Sequence, residues 1–361
     1  MRKAMLLLLG LLTANCTFGQ STEVNRLDSL FTSLYNKNSF NGNVLIAEKG
    51  KVIFEKSYGF ADEANKIKLN AQTKFELASV SKQFTAMAIV LLHKQGKLSY
   101  DDAIAKYIPE LSFYGPITVR NLVNHTSGLA DYMELFDQKW DKSKFVTNQD
   151  IVNEFVKYKP ELVFKPNEKF EYSNTGYALL GLIIEKVSKK TYPQVLQELI
   201  FDPLGMKNTF VFDDLTKQDS VSQSYKNNYL RLAFEYLDQV YGDKNIYSTP
   251  RDLLQFDLAL YSDKFLSAAM KAEMFKGYSY ERKGTRNYGL GIRMLEFETG
   301  QQYFFHNGWW HGNTSAYVTL QKDSVTIIAI SNKFTRKPYQ TKRLAPKFGD
   351  YPFKFNDEEG E

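Results

Sequence analysis

Strand-like alternation occurs near both ends of this chain, and helical periodicity fills the space between. At the front, GNVLIAEKGKVIFEKSYGFAD (residues 42–62) reads as two strands joined at Lys49-Gly50. After Tyr288 the runs YGLGIRMLEF, QQYFFH, TSAYVTLQ and SVTIIAIS follow one another with short turns, as consecutive strands. A chain patterned this way has few means of burying its apolar faces. It predicts one antiparallel sheet built from both chain ends and flanked by helices, with a mostly helical domain inserted, an α/β fold in the α+β sense.

The helical stretches support that division. Phe84 to Leu92 is apolar at helical spacing and ends before Gly96. TVRNLVNHTSGL reads as a short helix and a turn, and NQDIVNEFVKY as a helix opened by an Asn cap. NTGYALLGLIIEKVSKK is amphipathic, and TYPQVLQELIFDPLGM is a helix stopped by Pro203 and Gly205. Ser-Thr-Pro opens a helix in STPRDLLQFDLALYS. The expected units are a leader over 1–19, an α/β domain over 20–99 and 239–335, a helical insert over 100–238 and a surface tail over 336–361.

The leader reading comes from MRKAMLLLLGLLTANCTFGQ. Arg2 and Lys3 precede a short apolar run, and Thr17 and Gly19 suit a cut before Gln20. This marks export to the periplasm or the medium, and the run is too short to span a membrane. Cys16 is the one cysteine, and Asn15 before it is a poor residue for a lipid anchor, so ordinary cleavage is favoured. No later segment is long and apolar enough to cross a membrane. The formal charge is +5, and removing Arg2 and Lys3 leaves +3. That charge is scattered among acids, which argues against a nucleic-acid partner.

Three short motifs carry chemistry. FELASVSKQFTAMAIVLLHKQGKL contains Ser79-Val80-Ser81-Lys82. On a helix, residues three apart share a face, so Lys82 can approach the Ser79 oxygen and act as a base. About one or two such matches arise by chance in a chain this rich in Ser and Lys, so the motif alone decides nothing. A capped helix start beside a solvated lysine explains it equally. FKPNEKFEYSNTGYALLG carries Tyr172-Ser173-Asn174, a phenol able to relay protons and an amide able to hold a substrate carbonyl. Its bland alternative is a core-edge tyrosine and a helix cap at Asn174. FFHNGWWHGN carries His306-Asn307-Gly308 at the end of an expected strand, where a glycine admits a substrate backbone and Trp309 offers an N–H. Tyr225-Lys226-Asn227 repeats the second pattern without its flanking signals and is set aside.

In this order the three motifs resemble those of the penicillin-recognising serine hydrolases: class C β-lactamases, D-alanyl-D-alanine carboxypeptidases, D-aminopeptidases and related esterases. LVNHTSGL, F-x-P-x-x-x-F-x-Y-S-N-T-G-Y, YSTPRDLLQF and NYGLGI are similar to that family as well, and the likeness runs from Gly42 to Asn332. The resemblance implies a covalent acyl-enzyme on an amide or ester. Ser79 would be the nucleophile, with Lys82 and Tyr172 sharing the proton work and the choice of base left open. Asn174 would bind the substrate amide and Lys82. His306 would stand for the usual third-motif lysine, and the N–H groups of Ser79 and Trp309 would form an oxyanion hole beside Gly308. Ser81 is then a bystander, His125 orders a nearby turn, and His311 is either a surface residue or a residue of the pocket rim. The substrate is a small molecule or peptide with an acyl group. No cofactor is implied and no metal spacing is present; His306 and His311 suit zinc poorly. No Gly-x-Ser-x-Gly elbow is present.

Two departures matter. Histidine is mostly uncharged at neutral pH, so His306 should attract a penicillin carboxylate less than lysine would. Small acyl esters are therefore expected to turn over faster than benzylpenicillin, and a true β-lactamase or a non-catalytic binding homologue are the alternatives. The family also closes with an amphipathic helix on the sheet. NKFTRKPYQTKRLAPKFGDYPFKF shows no helical period, while residues 23–36 supply one helix for that face.

Overall fold

The computed structural model describes residues 24–353, so the leader with Cys16 and the acidic chain end lie outside the described residues. Its centre is an eight-stranded antiparallel sheet. The strands are β1 (Gly42–Glu48), β2 (Lys51–Tyr58), β3 (Ser279–Arg282), β4 (Arg286–Tyr288), β5 (Arg293–Glu296), β6 (Gln302–Trp310), β7 (Asn313–Leu320) and β8 (Val325–Ser331), in the order β3-β4-β5-β6-β7-β8-β1-β2. The front of the chain thus pairs with its back, from Gly42 opposite Ser331 to Glu48 opposite Val325. Lys49 and Gly50 both take positive φ, the turn that matches the twist of a two-residue hairpin.

The central strands are buried on both faces, which is why they read as nearly continuous apolar runs. Leu45 and Ala47 join one core, with Ile328 and Ile330. Val44 and Ile46 join the other, with Ile327 and Ala329. The first core holds the helices. Helix α1 (Lys82–Lys94) is buried from Lys82 through Leu92 and runs through the middle of the molecule, as a helix apolar on all sides must. Helices α2 (Asn174–Ser188) and α3 (Pro250–Tyr261) belong to the same layer. Residues 100–238 contribute no strand to the main sheet.

The second core corrects the expectation of a surface tail. Lys337–Lys347 forms a 3-10 helix whose Pro338, Thr341, Leu344 and Ala345 are buried. Leu344 and Tyr351 pack with Leu27 and Phe31 of the helix over residues 24–36 and with the sheet. The stripe recurs every three residues, the 3-10 period, so a search at 3.6 residues misses it.

Smaller differences have local causes. YGLGIRMLEF is not one strand: Gly291, at φ +79°, turns the chain between β4 and β5, and a Cβ there would come within 2.5 Å of Ala86 Cβ. Thr147, rather than Asn148, caps helix Asn148–Tyr158, accepting from the Asp150 N–H. Likewise β6 does not stop at His306 but continues to Trp310.

Candidate active site

Ser79 sits on a 3-10 turn, Ala78–Ser81, that runs straight into α1. Of residues 75–92 only Ser79 is not buried. Ala78 before it has φ +49°, a left-handed conformation that costs a residue with a Cβ roughly 1–2 kcal/mol. The turn is held by the Leu77 N–H donating to Ile246 O at 2.8 Å. Ser81 is fully buried, and its Oγ accepts the Ile246 N–H at 3.2 Å, so it fastens the turn and does not face the cleft.

Lys82 is completely buried, and its Nζ donates to Ser79 Oγ at 3.2 Å, Asn174 Oδ1 at 2.9 Å and the Asp243 carbonyl at 2.8 Å. Asn174 is free to do this because Ser173 caps α2, its Oγ accepting from the Gly176 N–H. The Tyr172 ring lies 5.0 Å from Lys82 Nζ, and its buried hydroxyl has no partner among the described residues. His125 shapes this corner. Its Nδ1 accepts the Ser173 N–H at 3.0 Å and its ring lies 4.3 Å from that of Tyr172. Burial, with Lys82 and Arg293 nearby, holds this imidazole well below the usual histidine range.

Strand β6 closes the other side. A Cβ on Gly308 would lie 2.2 Å from Leu77 O and 3.0 Å from Ser79 N, so only glycine lets the strand press against the Ser79 turn. The N–H groups of Ser79 and Trp309 therefore belong to two segments in contact. His306 does not line the cleft. It is fully buried below Tyr172, with Nδ1 2.8 Å from Asn307 O and Nε2 3.2 Å from Tyr288 Oη. A carbonyl on Nδ1 places the proton there, so Nε2 accepts the phenol hydrogen. Burial first, then Arg293 and Lys82, hold His306 well below its usual range.

The cleft has a volume of about 760 Å³ and is lined by Ser79, Tyr172, Asn174, Gly308 and Trp309. Sequence reasoning missed four contributors. The Arg293 guanidinium stands 4.4 Å from the Tyr172 ring centroid, donates to Glu281 at 3.1 Å and lines the cleft. It supplies a cation beside His306, where histidine carries none. Asp243 acts through its backbone oxygen, which has no side-chain signature. Tyr339 and Lys342, from the supposed tail, line the cleft as well. His311 lines it too, with Nε2 2.9 Å from Asp238 Oδ1. Among the described residues no His, Cys, Asp and Glu side chains gather to hold a metal ion, and no helix is long and apolar enough to cross a membrane.

The Beta-lactamase family model matches residues 27–346. Penicillin-binding protein 4* of Bacillus subtilis (strain 168) is 36% identical over 333 residues, covering 87% of this chain and 73% of that protein. Among solved structures, a penicillin binding protein from Bacillus halodurans superposes with a TM-score of 0.79 at 23% identity, over 88% of this chain and 98% of that one. That likeness concerns the fold alone. D-amino acid amidase from Ochrobactrum anthropi SV3 superposes at 0.69 with 26% identity, over 82% of this chain and 87% of that one. By a family match across nearly all of the described residues and a relative alike over most of both chains, the protein belongs to the beta-lactamase family of serine hydrolases.

Proposed function

We propose that the protein is an exported hydrolase that opens an amide or ester by acylating Ser79, and that its substrate carries an anionic group beyond the scissile bond. One observation carries the reading: Lys82 Nζ reaches Ser79 Oγ while its other bonds go to Asn174 Oδ1 and Asp243 O. Two N–H groups serve those oxygens, and the third position of the nitrogen faces the serine hydroxyl, whose proton it takes in the acylation step. The serine proton then leaves with no other bond broken. Ser79 Oγ bonds to the carbonyl carbon, and the N–H groups of Ser79 and Trp309 receive the oxyanion. Tyr172, whose ring has Lys82 and Arg293 as neighbours and whose hydroxyl is unpartnered, passes the proton to the leaving group as the scissile bond breaks. Water attacks the acyl carbon, releases the acid and returns the serine proton.

The anionic preference follows from the wall. Arg286, Arg293, Lys244 and Lys342 line it against the two acidic residues Glu281 and Asp243, and Arg293 stands beside the Tyr172 ring. Arg293 also favours a second reading, turnover of a β-lactam, because it removes the charge argument that His306 alone supports. Comparing kcat/KM for short esters, D-amino-acid peptides and benzylpenicillin separates the two.

The deciding experiment is intact-mass spectrometry after mixing with an activated ester. An acyl adduct on the peptide containing Ser79 is expected, and none in Ser79→Ala. Normal turnover by Ser79→Ala sinks the reading. Export rests on residues 1–19 and is tested by N-terminal sequencing of the mature protein, which should begin at Gln20.

A further inference from the structure

We propose that Tyr339 is a positioning residue for the oxyanion donor of Trp309, an inference that rests on the acyl-transfer reading above. Tyr339 belongs to the 3-10 helix Lys337–Lys347, and its O–H donates to the Gly308 carbonyl at 2.9 Å. The Gly308 carbonyl and the Trp309 N–H are the two ends of one planar peptide unit. A bond to the carbonyl therefore holds the plane in which the N–H points. It also draws electron density from the nitrogen and strengthens that N–H as a donor, by about 10–30% per bond in a chain of hydrogen bonds.

The ladder with β7, which pairs Gly308 with Ser315 and Trp309 with Thr314, already directs this peptide, and the Tyr339 bond adds to it where the side chains hold little. Gly308 has no side chain to restrict its backbone, and none can be added, because a Cβ would strike Leu77 O. The Trp309 side chain anchors little, being 62% exposed with its indole N–H on His311 O. Tyr339 is mostly buried in the cleft wall, and burial pushes its phenol up, so the hydroxyl keeps its proton across the working range. The C-terminal segment thus reaches from the far core into the catalytic side of the molecule.

The test uses the full-length protein and Tyr339→Phe, which removes one oxygen. With a chromogenic ester, kcat is expected to fall about three- to tenfold with KM nearly unchanged, the signature of a bond that matters in the transition state. Affinity for phenylboronic acid, whose adduct on serine is tetrahedral, should fall by the same factor. Leu344→Ala serves as the control, since it loosens the same segment without touching Gly308 and should keep kcat. The proposal is overturned if Tyr339→Phe keeps kcat and boronate affinity within about twofold. It is equally overturned if Tyr339→Phe and Leu344→Ala lose kcat in step with thermal stability. Turnover by Ser79→Ala would instead overturn the acyl-enzyme reading, leaving the two failures distinguishable.

Discussion

Three neutral oxygens hold the Lys82 amine, and each comes from a different part of the chain. Replacing it by methionine keeps the stem and removes the nitrogen. Lys82→Met should lower the acylation rate by about 10²–10⁴, the usual worth of a positioned base, in stopped-flow burst measurements. A burst of wild-type rate would remove Lys82 from the mechanism. The task proposed for Arg293 is different. Arg293→Gln should raise KM about tenfold or more for a carboxylate-bearing substrate and leave a neutral ester unchanged, the worth of one charged hydrogen bond. Equal losses on both substrates would place its effect on Tyr172 instead. These residues differ in how far the sequence announces them. Ser79 with Lys82, and Tyr172 with Asn174, lie three and two residues apart, and the proposed chemistry needs those residue types at that spacing. Arg293 stands on a strand among alternating residues, where an arginine looks like any solvated one. His306 was legible as a position but not as an environment, because burial under Tyr172 depends on how two distant segments meet.

Elements were legible where their period is 2 or 3.6 and hidden elsewhere. The C-terminal 3-10 helix has a period of three and a proline at each end, Pro338 and Pro346, so it resembles a tail while covering the sheet. Leu344→Ala should cost about 2–5 kcal/mol in urea unfolding if that cover is a true core, and nothing measurable if it is surface. The short strand Phe75–Glu76, paired with Ile246–Ser248 behind the Ser79 turn, carries a second test. Burial first, and then Asp238, push the Glu76 carboxyl up to about 8 from an ordinary 4.5. Between those values the folded protein keeps a proton that the unfolded chain releases. The stability Glu76 contributes is thus full below 4.5 and lost as pH rises toward 8. Glutamine cannot ionise, so the melting temperature of Glu76→Gln relative to wild type should climb steadily from pH 4.5 to pH 8. A difference that stays flat would mean Glu76 is not held protonated.

At the scale of the whole molecule, the sheet and the helical layer meet at two buried histidines. His306 comes from β6 and His125 from the turn after helix Val119–Val123, and both pack on Tyr172 and Tyr288. That the two chain ends share one sheet was legible, because strand patterns bracket the helices. The meeting of the layers at two imidazoles was not, since it needs β4, β6 and Tyr172 in register. Desolvation, with Lys82 and Arg293 adding repulsion, holds both rings neutral well below the usual 6.5. In acid the unfolded chain therefore takes up protons that the folded one refuses. The stability these histidines contribute is complete above about 6.5 and lost as pH falls below it. Glu76 and Asp257, the latter pushed up to about 6 by burial, act in the opposite sense over the same span. The wild-type curve sums these four groups with others, among them His311, held against the opposing effect of burial above its usual range by Asp238, so the histidine share is read from a variant. His306→Asn removes one titrating ring, and its stability relative to wild type should rise as pH is lowered from 7 to 5 in urea unfolding. Because the rings sit where the two layers join, wild-type activity and tertiary near-ultraviolet signal should disappear together in acid. A constant gap between the two proteins from pH 7 to pH 5 would mean that His306 takes its proton as readily folded as unfolded, and the neutral floor beneath Tyr172 would have to be abandoned.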